Sequence, residues 1–207
     1  MKSFLFKEHL LKQIVKGKKT QTRRTHGLEK INVNPDQYEI DSWGFIESFN
    51  GYCIEFSHKQ NKKAGIITCK AKYQVGDIVY LKENYCFDED GEIIYQCDVP
   101  VEKRKNFTWK SKLMMPEANA RHFVQITGIR CERLTDISDT DAIAEGIETV
   151  SGGILYGTRY RDYEYNTTEG FPMPFASFFS LFASINGSHI INQNPYVFVY
   201  EFENYKK

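Results

Sequence analysis

Tyr196-Val197-Phe198-Val199-Tyr200-Glu201-Phe202 is dense in β-branched and aromatic residues and reads as a strand. Residues 120–134 read as a second, longer one, with Phe123, Ile126 and Ile129 interleaved among polar neighbours. The turn at Val75-Gly76-Asp77 feeds a third at Ile78-Val79-Tyr80-Leu81, Gly91-Glu92-Ile93-Ile94-Tyr95 gives a fourth, and Phe4-Leu5-Phe6 a short fifth. Helices are fewer. Leu10, Leu11, Ile14 and Val15 repeat at helical spacing and stop at Gly17. Ser138 followed by Asp141 caps a short helix ending near Gly146. Residues 174–185 form the clearest helix, opened by Pro174 and followed by Gly187, with Phe175, Phe178, Phe179 and Phe182 as a core stripe. Strands outnumber helices and both terminal segments are strands, which favours an α+β fold. The expectation is one domain over residues 1–207, a small mixed β-barrel with peripheral short helices. Residues 25–74, rich in Asn, Gly and Lys, and residues 149–170, rich in Tyr and Gly, read as two irregular insertions.

Charge narrows the function classes. The chain carries 27 Lys and Arg against 27 Asp and Glu, which argues against a general coater of duplex DNA, whose affinity rests on many phosphate contacts. No apolar run approaches membrane-spanning length, and the first seven residues are too soon charged for a signal peptide, so a cytoplasmic protein is expected. The five cysteines include no C-x-x-C pair, and no dinucleotide or P-loop motif occurs. Neither a metal nor a cofactor is expected.

Against this neutral background one segment stands out. Between Glu8 and Glu29 there is no acidic residue, while Lys12, Lys16, Lys18, Lys19, Arg23 and Arg24 crowd together. Within it, Gly17-Lys18-Lys19-Thr20-Gln21-Thr22-Arg23-Arg24 interleaves cations with hydroxyls. Cations fix anions such as phosphate, and a threonine hydroxyl can attack once a base takes its proton. The alternative is a solvated helix end. The empty acidic neighbourhood favours anion binding by Arg23 and Arg24 over pairing with surface acids.

Further landmarks follow in order: Gly76-Asp77-Ile78-Val79-Tyr80-Leu81-Lys82-Glu83, Lys112-Leu113-Met114-Met115-Pro116 with Ala120-Arg121, then Leu134-Thr135-Asp136-Ile137-Ser138. Asp141-Ala142-Ile143-Ala144-Glu145-Gly146-Ile147, Ser184-Ile185-Asn186-Gly187 and Asn194-Pro195-Tyr196-Val197-Phe198-Val199 complete the set. Together with the cationic segment, it resembles the phage- and prophage-associated branch of the ASCH domain family. ASCH domains are similar to PUA domains, compact β-barrels that bind RNA. The resemblance covers nearly the whole chain apart from the two insertions. It implies a PUA-like barrel whose partner is RNA, a nucleotide or a modified nucleoside.

One bacterial ASCH branch is an amidohydrolase that removes the acetyl group from N(4)-acetylcytidine, with the motif G-[RK]-K-T-x-T. Carried over by position, the base falls on Lys19, the nucleophile on Thr22 and the acid on Glu145. Those enzymes are about half this length, and this chain departs from them across both insertions. A lysine serves as base only if desolvation or nearby positive charge lowers its pKa, and Lys18, Arg23 and Arg24 would supply that charge. Arg121 would guide a phosphate or decorate an edge strand. Trp109 would stack on a base or pin its own loop, and Glu83 is a rival acid. Two alternatives remain. One is a non-catalytic module for RNA or single-stranded nucleic acid, and the other is a phage accessory domain that binds a protein.

Overall fold

The computed structural model describes residues 1–151 and 157–207. The strand read first, β12 (Tyr196–Tyr205), runs through the interior of the main sheet. It pairs antiparallel with β9 (Phe123–Arg133) on one side and with β2 (Gln21–Arg24) on the other. Tyr196, Val197, Phe198, Val199 and Tyr200 are all buried, so the segment is a continuous apolar run with no polar alternation. A bulge at Thr127, facing the Glu201–Phe202 step, strengthens the local twist. Strand β6 (Ile78–Lys82) pairs antiparallel with β9, and β1 (Lys2–Leu5) pairs parallel with β6. The resulting order is β1-β6-β9-β12-β2.

The edge strands β1 and β2 lean together without joining. Arg24 on β2 donates to the Leu5 carbonyl on β1 at 3.4 Å, and its guanidinium lies 6.0 Å and 5.1 Å from the Phe4 and Phe6 ring centres. No ladder links the two strands among the described residues, so the sheet is curled but open where a closed barrel was expected. The reason lies in the seam. A ladder needs backbones about 4.8 Å apart, and here a long side chain bridges the gap instead.

The helices are short and peripheral: α1 (Glu8–Val15), α2 (Glu29–Asn32), α3 (Asp139–Ala144), α4 (Pro174–Asn186) and α5 (His189–Gln193). On α4 the expected stripe is only partly core. Phe178 and Phe182 are buried, whereas Phe175 is exposed.

The first expected insertion is not irregular. Strands β3 (Tyr38–Ile46), β4 (Gly51–His58) and β5 (Ile66–Lys70) form an antiparallel three-stranded sheet. Its Ile54, Phe56 and Cys69 belong to the main core, and Phe56 meets Tyr196 edge-on at 4.9 Å. Its periodicity is hidden because a bulge between Ile40 and Ser42 switches which side chains face inward. Trp43 and Phe45 stay exposed, which blurs the pattern further. Two hairpins complete the strands: β7 (Tyr85–Phe87) with β8 (Ile93–Tyr95), and β10 (Thr149–Ser151) with β11 (Thr158–Tyr160). The second hairpin occupies the other expected insertion, of which residues 152–156 lie outside the described residues. No described helix is long and apolar enough to cross a membrane.

Candidate functional site

The cationic segment begins where α1 ends. Gly17, at φ +69°, takes the left-handed conformation that a side chain would oppose. Its N–H bonds the Ile14 carbonyl at 2.8 Å, and the Lys18 N–H bonds that of Gln13 at 2.9 Å, the two bonds of a Schellman stop. The next residues are then pinned from two sides. The Thr20 N–H reaches the Ala144 carbonyl at the end of α3 (2.9 Å), and the Thr20 carbonyl accepts from Phe202 on β12 (2.8 Å). This delivers Lys19 to the C-terminus of α3, where Glu145 caps the helix.

Lys19 is 2% exposed and Glu145 4% exposed. Lys19 Nζ donates to Glu145 Oε2 at 2.6 Å, to the Glu145 carbonyl at 2.7 Å and to the Gln21 carbonyl at 2.8 Å. Burial pushes the Lys19 pKa down to about 8 against the opposing pull of Glu145; Arg24 and Arg23 add to the lowering. Glu145 Oε1, the other carboxylate oxygen, accepts from Arg23 NH1 at 3.1 Å. Arg23 is therefore not an open anion receptor as expected. Its fully buried guanidinium also meets Glu132 on β9 at 2.5 Å and Asp141 on α3 at 3.3 Å. Arg130 extends the network by pairing with Glu132 and Asp141, each at 2.9 Å. The hydrogen bond from Gln21 and the cations Arg130 and Arg23 hold the Asp141 carboxyl below its usual range, although burial alone would raise it.

A pocket of about 120 Å³ opens beside this network. Lys19, Thr22, Arg24 and Glu145 line one part of it, and Leu10, Phe178, Leu181 and Phe182 another. Thr22 is buried, and its hydroxyl is not among the three acceptors that hold Lys19. Lys19 precedes β2, so the alternation of strand faces does not separate it from Thr22; both reach the same pocket.

Compared with protein-family models, curated proteins and solved structures, the chain finds no match.

Of the expected site residues, Lys19, Thr22, Arg23, Arg24 and Glu145 converge. Lys18 is exposed and does not line the pocket. Arg121 does not await a phosphate: it pairs with Glu83 at 3.0 Å and Asp98 at 2.5 Å, 3.8 Å from the Tyr95 ring centre. The same pairing removes Glu83 as a rival acid, since it faces a separate small pocket beside Cys97. Trp109 pins its own loop, donating to the Arg104 carbonyl at 2.9 Å with its ring against Phe107. The sequence reading missed Gln21, Arg130, Glu132 and the pairing role of Asp141. All four are polar residues at strand or helix-start positions, and no local spacing marks the long-range pairs that they form.

Gly146 is the closest steric constraint on the site. Its φ is +82°, and a Cβ there would sit 2.7 Å from the Cβ of Lys19. Gly146→Ala should cost at least about 1–2 kcal/mol for the left-handed backbone alone and push Lys19 off Glu145. An unchanged urea midpoint for this variant would show that the ends of α1 and α3 do not pack as described.

Proposed function

We propose that this cleft hydrolyses the amide bond of an acylated nucleobase, as the resemblance to the ASCH amidohydrolases implies. The carrying observation is the buried Lys19–Glu145 pair, with its lysine pKa near 8, beside Thr22 on one pocket wall. A proton shift across the 2.6 Å bond turns the ion pair into neutral amine and carboxylic acid. Lys19 Nζ then takes the Thr22 proton as Thr22 Oγ1 bonds to the acyl carbon. Glu145 gives its proton to the departing nitrogen as the C–N bond breaks, which leaves a threonyl ester and restores the ion pair. In the second half, the Glu145 carboxylate takes a proton from water, whose oxygen attacks the ester. Lys19 returns its proton to Thr22 Oγ1, and the carboxylic acid product leaves. Arg24, with no carboxylate partner among the described residues, is the available cation for the developing oxyanion.

The test is acetate release from N(4)-acetylcytidine, as nucleoside and within an oligonucleotide. Release should hold through neutral pH and fall as pH climbs past about 8, because the mechanism needs the one proton that Lys19 and Glu145 share, and that proton is lost through that range. No release at any pH sinks the hydrolase reading. A second reading, a PUA-like RNA-binding cleft without chemistry, draws on one observation: protein acceptors already occupy all three Lys19 donor positions. It expects ligand binding with no acetate.

A further inference from the structure

On the other side of Arg24 lies a second pocket, of about 240 Å³, at the open seam between β1 and β2. Its walls combine aromatic faces, Phe4, Tyr73 and Tyr200, with the cations Arg24, Lys72 and Lys82; no acidic residue lines it. The cations come from β2, from the segment after β5 and from β6, so the fold and not a local charge run brings them together. Among the described residues none of the three has a carboxylate within ion-pair distance. By contrast, Arg23, Arg121 and Arg130 each hold at least two.

Their side chains are nonetheless positioned. Lys72 Nζ lies 5.4 Å from the Tyr73 ring centre, and Lys82 Nζ donates to the Leu113 carbonyl at 2.8 Å. Arg24 NH1 donates to the Arg23 carbonyl at 3.2 Å. Three like charges around one concavity repel each other, and an anion with several acceptor oxygens relieves that repulsion while using their free N–H groups. Arg24 and His26 line both this pocket and the Lys19–Glu145 cleft, which makes the two pockets neighbours along one wall.

We propose that the seam pocket is a phosphate subsite, so that the ligand of the neighbouring cleft is a phosphorylated nucleoside and not a free one. The phosphate belongs either to a mononucleotide or to the backbone of a single strand. The identity of the base rests on the reading of the cleft as a nucleobase site; the phosphate preference rests on the seam pocket alone.

The test is direct binding by calorimetry of cytidine, cytidine 5′-monophosphate and a short oligocytidylate, each with and without N(4)-acetylation. The monophosphate should bind at least about tenfold tighter than the nucleoside through charge-assisted contacts. The Lys72→Ala/Lys82→Ala variant should lose most of that preference, whereas Lys63→Ala, an exposed lysine elsewhere, should keep it. If the oligonucleotide is the true ligand, its salt slope should fall by roughly 1.4 in the double variant, about 0.7 per lost phosphate contact. Equal affinity for nucleoside and nucleotide, or a preference that survives the double variant, overturns the subsite. Phosphate preference without acetate release leaves the subsite standing and removes the hydrolase. Acetate release without phosphate preference does the reverse.

Discussion

Lys19→Met is expected to lower acetate release by about 10²–10⁴-fold, the range that a positioned general base supplies. Methionine matches most of the buried lysine stem and adds no charge, and Glu145 keeps its Arg23 partner at 3.1 Å. Ligand affinity should therefore change little while turnover collapses. Lys19→Arg is the sharper control. Arginine restores the cation beside Glu145 but does not give up its proton, so its turnover should be as low as that of the methionine variant. The fall of activity above about pH 8 should vanish in both, because neither variant carries the lysine whose proton is lost there. Turnover retained by Lys19→Arg would mean that the lysine holds charge and moves no proton. Thr22→Val should match the methionine variant, since it removes the attacking hydroxyl and keeps the shape of the side chain.

The sequence carried the local part of this site and not the long-range part. Gly17 stops α1 through backbone bonds to Ile14 and Gln13, all within one turn, so the helix end and the placement of Lys19 were legible. Ser138 caps α3 by accepting from the Asp141 N–H at 3.1 Å, again a contact within three residues. Arg23 was misread because its partners lie far along the chain: Glu132 is 109 positions away and Asp141 is 118. A window without acids says nothing about acids that strand pairing brings in. Burial of the guanidinium then demands counter-charge, and β9 and α3 supply it. The three-stranded sheet was illegible for a different reason. Its bulge beside Asp41 breaks the two-residue period by which a strand is recognised. The seam between β1 and β2 depends on where a curled sheet fails to close, which no local pattern encodes.

Glu145→Leu is expected to cost about 3–5 kcal/mol, the penalty for removing one partner of a buried ion pair. For a chain of this size that lowers the thermal midpoint by roughly 6–20 °C. Glu145 faces two buried cations at once, Lys19 at 2.6 Å and Arg23 at 3.1 Å, and only Arg23 keeps other carboxylates when it is lost. Lys19 would retain two carbonyl acceptors and no counter-charge. Adding Lys19→Met to Glu145→Leu should therefore recover stability, because an apolar pair carries no desolvation penalty. The double variant should melt above the Glu145→Leu single variant. A pH series separates this from simple repacking. With a folded-state pKa near 8 against an ordinary 10.5, Lys19 binds fewer protons when folded than when unfolded. Its contribution to stability thus rises with pH between those values, and that slope should be absent from Lys19→Met and from the double variant. A Glu145→Leu protein that melts with the wild type would mean that water reaches the pair. The burial that brings Lys19 toward the base form would then be lost, and the hydrolase mechanism would fall with it.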